Sequence, residues 1–161
     1  CKTIQQYKLD TYTSQFVLPT AHAIDFLSID VEGFDWDVLL GATETLERVN
    51  YLEFEYNWKG SWRNQTLSTA IRHLKERGFV CYWAGSSGNL WRITDCWMDY
   101  YDIRFWSNVA CVNTRREAVQ SMATHMEELF LETLSAGREI RYHNTSSANT
   151  NGKLDWGFSI E

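Results

Sequence analysis

Apolar positions along this chain change rhythm several times, and each change marks an element. Ala23 to Ile29 is a nearly continuous apolar run, the pattern of a parallel strand covered on both faces. From Phe34 to Arg48 the period lengthens, and Val38, Leu39, Ala42, Leu46 and Val49 fall at helical spacing. Asp35 and Asp37 sit in the first turn of that predicted helix, where the helix dipole favours negative charge. Tyr51 to Tyr56 reads as a second strand, followed by a polar, tryptophan-bearing loop from Asn57 to Asn64. The next helix places Leu67, Ala70, Ile71 and Leu74 on one face and stops at Gly78.

Phe79 to Ala84 is a third strand, Gly85-Ser86-Ser87-Gly88 a turn, and Asn89 to Ile93 a returning hairpin arm. An aromatic loop from Thr94 to Phe105 leads to a strand at Ser107 to Val112. A long helix over Arg115 to Ser135 follows, with Ala118, Met122, Met126 and Leu129 on one side, and reads as a packing element. Near the start, Gln5 to Phe16 fits a short strand near Tyr7 or a helical turn after Asp10, and Pro19 ends any helix there. From Gly137 the polar run HNTSSANTNGK predicts loss of order. Strand, helix, strand, helix, strand describes consecutive βαβ units and an α/β fold over residues 1–136, with a polar tail over 137–161.

Composition narrows the classes. With 161 residues and 44% hydrophobic content the chain can build one ordinary core. A net charge of -6 and the lack of a basic stripe exclude a nucleic-acid binder that works by phosphate attraction. No apolar run approaches the ~20 residues of a membrane span. The chain begins at Cys1 rather than Met and reads as a piece of a longer product, so the compartment stays open, with the cytoplasm slightly favoured. Cys1, Cys81, Cys96 and Cys111 lack zinc spacing, and Cys81 and Cys111 within strands read as small buried hydrophobes, with a single bridge left open. Asn64-Gln65-Thr66 and Asn144-Thr145-Ser146 fit the glycosylation acceptor pattern.

The candidate chemistry lies just after the first strand. Asp30 and Glu32 fall at its carboxyl end, where ligands bind in open α/β sheets. They can orient an acceptor hydroxyl, take its proton or help hold a cation; Glu32 can alternatively cap the following helix. Glu55 closes the neighbouring strand on the same rim, and alternation puts it on one face with Glu53. Asp25 opens its strand, at the wrong end of the sheet. Asp35-Trp36-Asp37 spells the D-x-D of nucleotide-diphosphate binders, but its helical first turn favours a dipole role. Among the eight tryptophans, Trp36, Trp83 and Trp91 read as core. Trp58, Trp62, Trp97 and Trp106 lie in or beside loops, where aromatic platforms suit sugar rings. His22, His73, His125 and His143 are scattered without metal-ligand spacing, and no metal is expected.

The run Asp25 to Gly33 (DFLSIDVEG), with Val38-Leu39 and Gly41-Ala42, resembles the signature of the FkbM family of S-adenosylmethionine-dependent methyltransferases. Leu9-Asp10-Thr11-Tyr12 is similar to the L-D-D-Y element before it, and Tyr51 to Asn57 to the family strand ending F-E-Y-N. Ser28 stands where the family usually has lysine. The resemblance, over Leu9 to Val112, implies the C-terminal half of a Rossmann-like methyltransferase fold. That half carries strands four to seven, a mostly parallel sheet whose last strand is antiparallel. The glycine-rich cofactor loop is absent from this sequence. The implied reaction is methyl transfer from S-adenosylmethionine to a hydroxyl of a carbohydrate or other small-molecule acceptor. Asp30, Glu32 and Glu55 would be catalytic, Asp30 would also face the cofactor, and Asn57, Trp58 and Trp62 would meet the acceptor. The alternatives are a non-catalytic α/β module that binds a glycan or a protein, and a metal-dependent glycosyltransferase.

Overall fold

In the computed structural model the described residues are 3–85, 88–102, 104–105, 107–138, 140–144 and 156–160. Five strands form one sheet: β1 (Ile24–Ile29), β2 (Val49–Tyr56), β3 (Phe79–Ala84), β4 (Leu90–Arg92) and β5 (Ser107–Asn113). Their order is β1-β2-β5-β3-β4. β1 and β2 are parallel, and β5 runs antiparallel between β2 and β3. β1, β2 and β3 therefore point the same way, and the last strand of the sheet is inserted against them. This is a mixed α/β sheet of the Rossmann-like kind that the resemblance implied.

Strict alternation gives the sheet two faces. Leu52, Phe54, Cys81, Trp83, Val109 and Cys111 join one core with Trp36, Leu39, Leu67, Ile71 and Leu74. Those last five come from α2 (Asp35–Leu40) and α4 (Leu67–Lys75). Tyr82, Ala110 and Val112 form a second core with Met126 of α5 (Gln120–Ser135). α5 follows a 3-10 turn at Glu117–Val119, so the long helix predicted from Arg115 starts later than expected.

Three further expectations change. The ambiguous segment near the start is helical: α1 spans Leu9–Phe16. The helix predicted from Phe34 to Arg48 is broken at Gly41-Ala42 into α2 and α3 (Thr43–Leu46). Asp10 is the cause. Its amide donates to Gly41 O at 3.0 Å, and its carboxylate accepts from Glu44 N, Thr45 N and Thr45 Oγ1 at 3.1, 2.7 and 2.7 Å. A helix restarts where its first amides find a carboxylate. The third change concerns β1, which is half open rather than covered on both faces. It lies at the sheet edge with β2 as its partner, and Phe26, stacked on Tyr51 at 5.4 Å, remains 58% exposed.

Cys81 and Cys111 lie directly opposite each other on β3 and β5 and are joined in a disulfide. The single bridge left open by the sequence is present, since both cysteines point to the same face at one register position. Of the segment expected to lose order, β6 (Ile140–Asn144) and β7 (Trp156–Ile160) pair as an antiparallel ribbon. Residues 145–155 lie outside the described residues, as do Cys1 and Trp106. Among the described residues no helix is long and apolar enough to cross a membrane.

Candidate active site

The parallel strands β1 and β2 end side by side, and the register pairs Ile29 with Phe54. One residue further on, Asp30 stands level with Glu55. The loops that follow are locked together. Glu32 and Gly33 both take positive φ, 55° and 95°, and turn the chain sharply into α2. Glu32 there is in a backbone conformation that side chains rarely adopt. A Cβ on Gly33 would lie 2.7 Å from the Lys59 carbonyl carbon, and one on Gly60 would lie 2.6 Å from the Gly33 carbonyl carbon. Only glycine permits this approach at both positions. Ser61 completes the lock, donating its amide to Gly33 O at 2.9 Å and its hydroxyl to the same oxygen at 3.2 Å.

This lock frames three of the expected acids. Asp30 and Glu32 are exposed, and Lys59 Nζ reaches Glu32 Oε2 at 3.1 Å. Glu55 is half-buried, and Asn57 Nδ2 donates to its Oε2 at 2.8 Å. Burial pushes the Glu55 carboxyl above the usual range. The Asn57 hydrogen bond pulls it back in part, and the charges of Asp30, Asp35 and Glu32 add to the rise. The three expected acids thus share one electrostatic neighbourhood.

The expected acceptor contacts divide differently. Asn57 is fully buried, its Oδ1 accepting from Lys59 N at 2.8 Å while its amide holds Glu55. Trp62 is also fully buried. Its indole N–H donates to Glu55 O at 3.1 Å, and its ring packs on Tyr56 at 4.9 Å. Both are buried and support the rim from behind. The 3-10 turn at Gly60–Asn64 folds the loop back so that its tryptophan enters the core. Trp58, by contrast, is 42% exposed, with Phe105 edge-on at 6.4 Å. Trp36 and Trp83 are core residues and Trp91 is half-buried, donating to Tyr101 Oη at 2.8 Å.

One acid has a place that the D-x-D pattern concealed. Asp37 is exposed, but Asp35 is fully buried behind Glu55. Its Oδ1 accepts from Glu55 N at 3.4 Å, and its Oδ2 has no hydrogen-bond partner. Burial pushes the Asp35 carboxyl up, and nearby backbone amides, that of Glu55 among them, offset this only in part. Two acids facing opposite environments do not make a metal pair, and among the described residues no group of three or more His, Cys, Asp or Glu side chains could hold a metal ion. The signal in the sequence was the helical phase of α2, which puts Asp35 beside the buried Trp36 and Leu39. His73 is half-buried against Trp36 at 5.5 Å, and burial lowers its pKa.

A family model for the methyltransferase FkbM domain matches residues 1–81, half of the chain. The chain therefore belongs to the FkbM methyltransferase domain family. The matched region holds β1, β2 and every acid of the rim. No curated protein and no solved structure matches the chain.

Proposed function

We propose that the chain carries the acceptor side of an S-adenosylmethionine-dependent O-methyltransferase acting on a hydroxyl of a carbohydrate or another small molecule. The observation that carries this reading is the meeting of Asp30, Glu32 and Glu55 at the ends of two adjacent parallel strands in a chain of this family. The donor set suits the cosubstrate, because carboxylates complement a sulfonium and its amino group. S-adenosylmethionine supplies a methyl group bound to cationic sulfur.

The rest falls to this chain's own residues. An alcohol acceptor must lose its proton as the new bond forms, so a positioned base accelerates the step. Glu55 is suited to that task, since a carboxyl with a raised pKa is a stronger base than an ordinary glutamate. Asn57 binds one of its oxygens and leaves the other to the rim. Asp30, level with Glu55 and exposed, is placed to face the cationic cosubstrate or to orient the hydroxyl. Trp58 at the edge supplies a flat apolar surface of the kind that stacks on sugar rings.

In the full-length protein, transfer of labelled methyl from S-adenosylmethionine to glycan and small-alcohol acceptors tests the reading. Asp30→Asn is expected to lower turnover by about 10²–10⁴-fold. Full turnover in that variant removes Asp30 from the mechanism. Absence of S-adenosylhomocysteine binding by calorimetry, in a folded protein, overturns the cosubstrate and leaves a binding module.

A further inference from the structure

Two features, one between the strands β3 and β5 and one in the loop between β2 and α4, suit the same surroundings. The first is the disulfide between Cys81 and Cys111, both fully buried and set opposite each other on the two strands β3 and β5. Disulfides of this structural kind form and persist in oxidising compartments and are rare where glutathione keeps thiols reduced. The second is Asn64-Gln65-Thr66. Asn64 closes the Gly60–Asn64 turn with its side chain exposed, and Thr66 is exposed as well. The backbone between them is extended, at φ -129° and ψ 148° for Gln65 and φ -100° and ψ 152° for Thr66. It is anchored from behind, Gln65 O accepting from Arg104 Nη2 at 3.0 Å. The acceptor triplet thus stands on a fixed surface loop, as its use in a secreted protein demands.

We propose that this chain matures in an oxidising secretory lumen and carries an N-linked glycan on Asn64. Neither feature depends on the other, since one follows from sheet register and the other from a surface turn. Lumenal transfer meets the chain before α4 forms, when the Thr66 hydroxyl is not yet engaged with Ser68 and Thr69. In that step the Asn64 amide nitrogen bonds to the anomeric carbon of an oligosaccharide held on a polyisoprenyl diphosphate. The carbon–oxygen bond to the diphosphate breaks, the diphosphate leaves with the electron pair, and the amide gives one proton to the transferring enzyme. The Cys81 and Cys111 thiols give up two protons and two electrons to a disulfide-bearing oxidase, which becomes a dithiol. In the folded chain the glycan points away from the core, on the loop whose other end frames the acid rim.

Mass spectrometry of the protein isolated from the cells that make it tests this directly. Release from the denatured, undigested protein by peptide N-glycosidase in heavy-oxygen water is expected to convert Asn64 to a labelled aspartate, read after trypsin in the peptide 64–72. Cys81 and Cys111 are expected to accept alkylation only after reduction. A peptide 64–72 found only unmodified overturns the proposal, and so do Cys81 and Cys111 alkylated without reductant. Thr66→Ala is expected to lose the label and Thr66→Ser to keep it, which separates the acceptor requirement from any effect on folding. Equal labelling in both variants, or in Asn64→Gln, also overturns it.

Discussion

Asp10 and Glu55 are carboxylates of similar burial in the same half of the molecule, and the fold moves them in opposite directions. Partial burial would raise Asp10, but the hydroxyl and amide of Thr45 and the amide of Glu44 outweigh it and hold the carboxyl below its usual value. Glu55 has one side-chain donor, Asn57, and three acidic neighbours, so burial prevails and its carboxyl rises. The first is what a structural cap looks like: a charge held by donors, and made more secure by being ionised. The second fits the proposed site: a charge that the protein itself resists, kept at an open rim by the Gly33–Gly60 lock. The acids are chemically alike, and the number of N–H and O–H groups aimed at each separates the two roles.

The sharpest way to break this contrast is to neutralise each carboxylate. Glu55→Gln is expected to reduce methyl transfer by about 10²–10⁴-fold. It should also remove the rising limb of the pH–rate profile, which in the native protein lies above the ordinary glutamate range. A variant with a native profile would assign Glu55 to structure. Asp10→Ala should leave that profile in place and instead lower stability by about 0.5–2 kcal/mol near neutral pH. The sign follows from linkage. A depressed carboxyl stabilises the fold above its unfolded pKa and loses that contribution as pH falls through its folded value. Urea titrations of native and variant protein should therefore converge in acid, and a constant gap would point to packing alone.

Asp35→Asn sharpens the comparison with the smallest change. Its raised carboxyl binds protons more readily in the folded than in the unfolded state, so stability declines as pH rises from the ordinary aspartate range toward the raised one. Removing the charge should flatten that decline and alter stability by less than about 1 kcal/mol near neutrality. A large loss of stability would show that the ionised form of Asp35 is the one the rim needs.

How much of this could be read from residue order depends on the range of the interaction. The strand-end acids were legible because a short, nearly continuous apolar run gave way to a glycine and then to a 3.6 period. The helix break at Gly41-Ala42 was not, because Asp10, some thirty residues earlier, supplies the cap. The pairing of Cys81 with Cys111 was hidden for the same reason, since it needs the register of two strands separated by the hairpin arm β4 and a long aromatic loop. The burial of Asn57 and Trp62 was not legible, because loop residues are usually outside. Asn57, directly after β2, holds the Glu55 carboxylate, and the Gly60–Asn64 turn carries Trp62 inward onto the Glu55 carbonyl.

The Gly33–Gly60 contact makes the turns after β1 and β2 a single mechanical part. An attempt to change what this rim accepts by grafting one loop from a relative would bring in a partner cut to a different lock. On the function proposed above, acceptor preference is inherited as a pair of loops, and the smallest transplantable unit of specificity runs from Asp30 to Ser61.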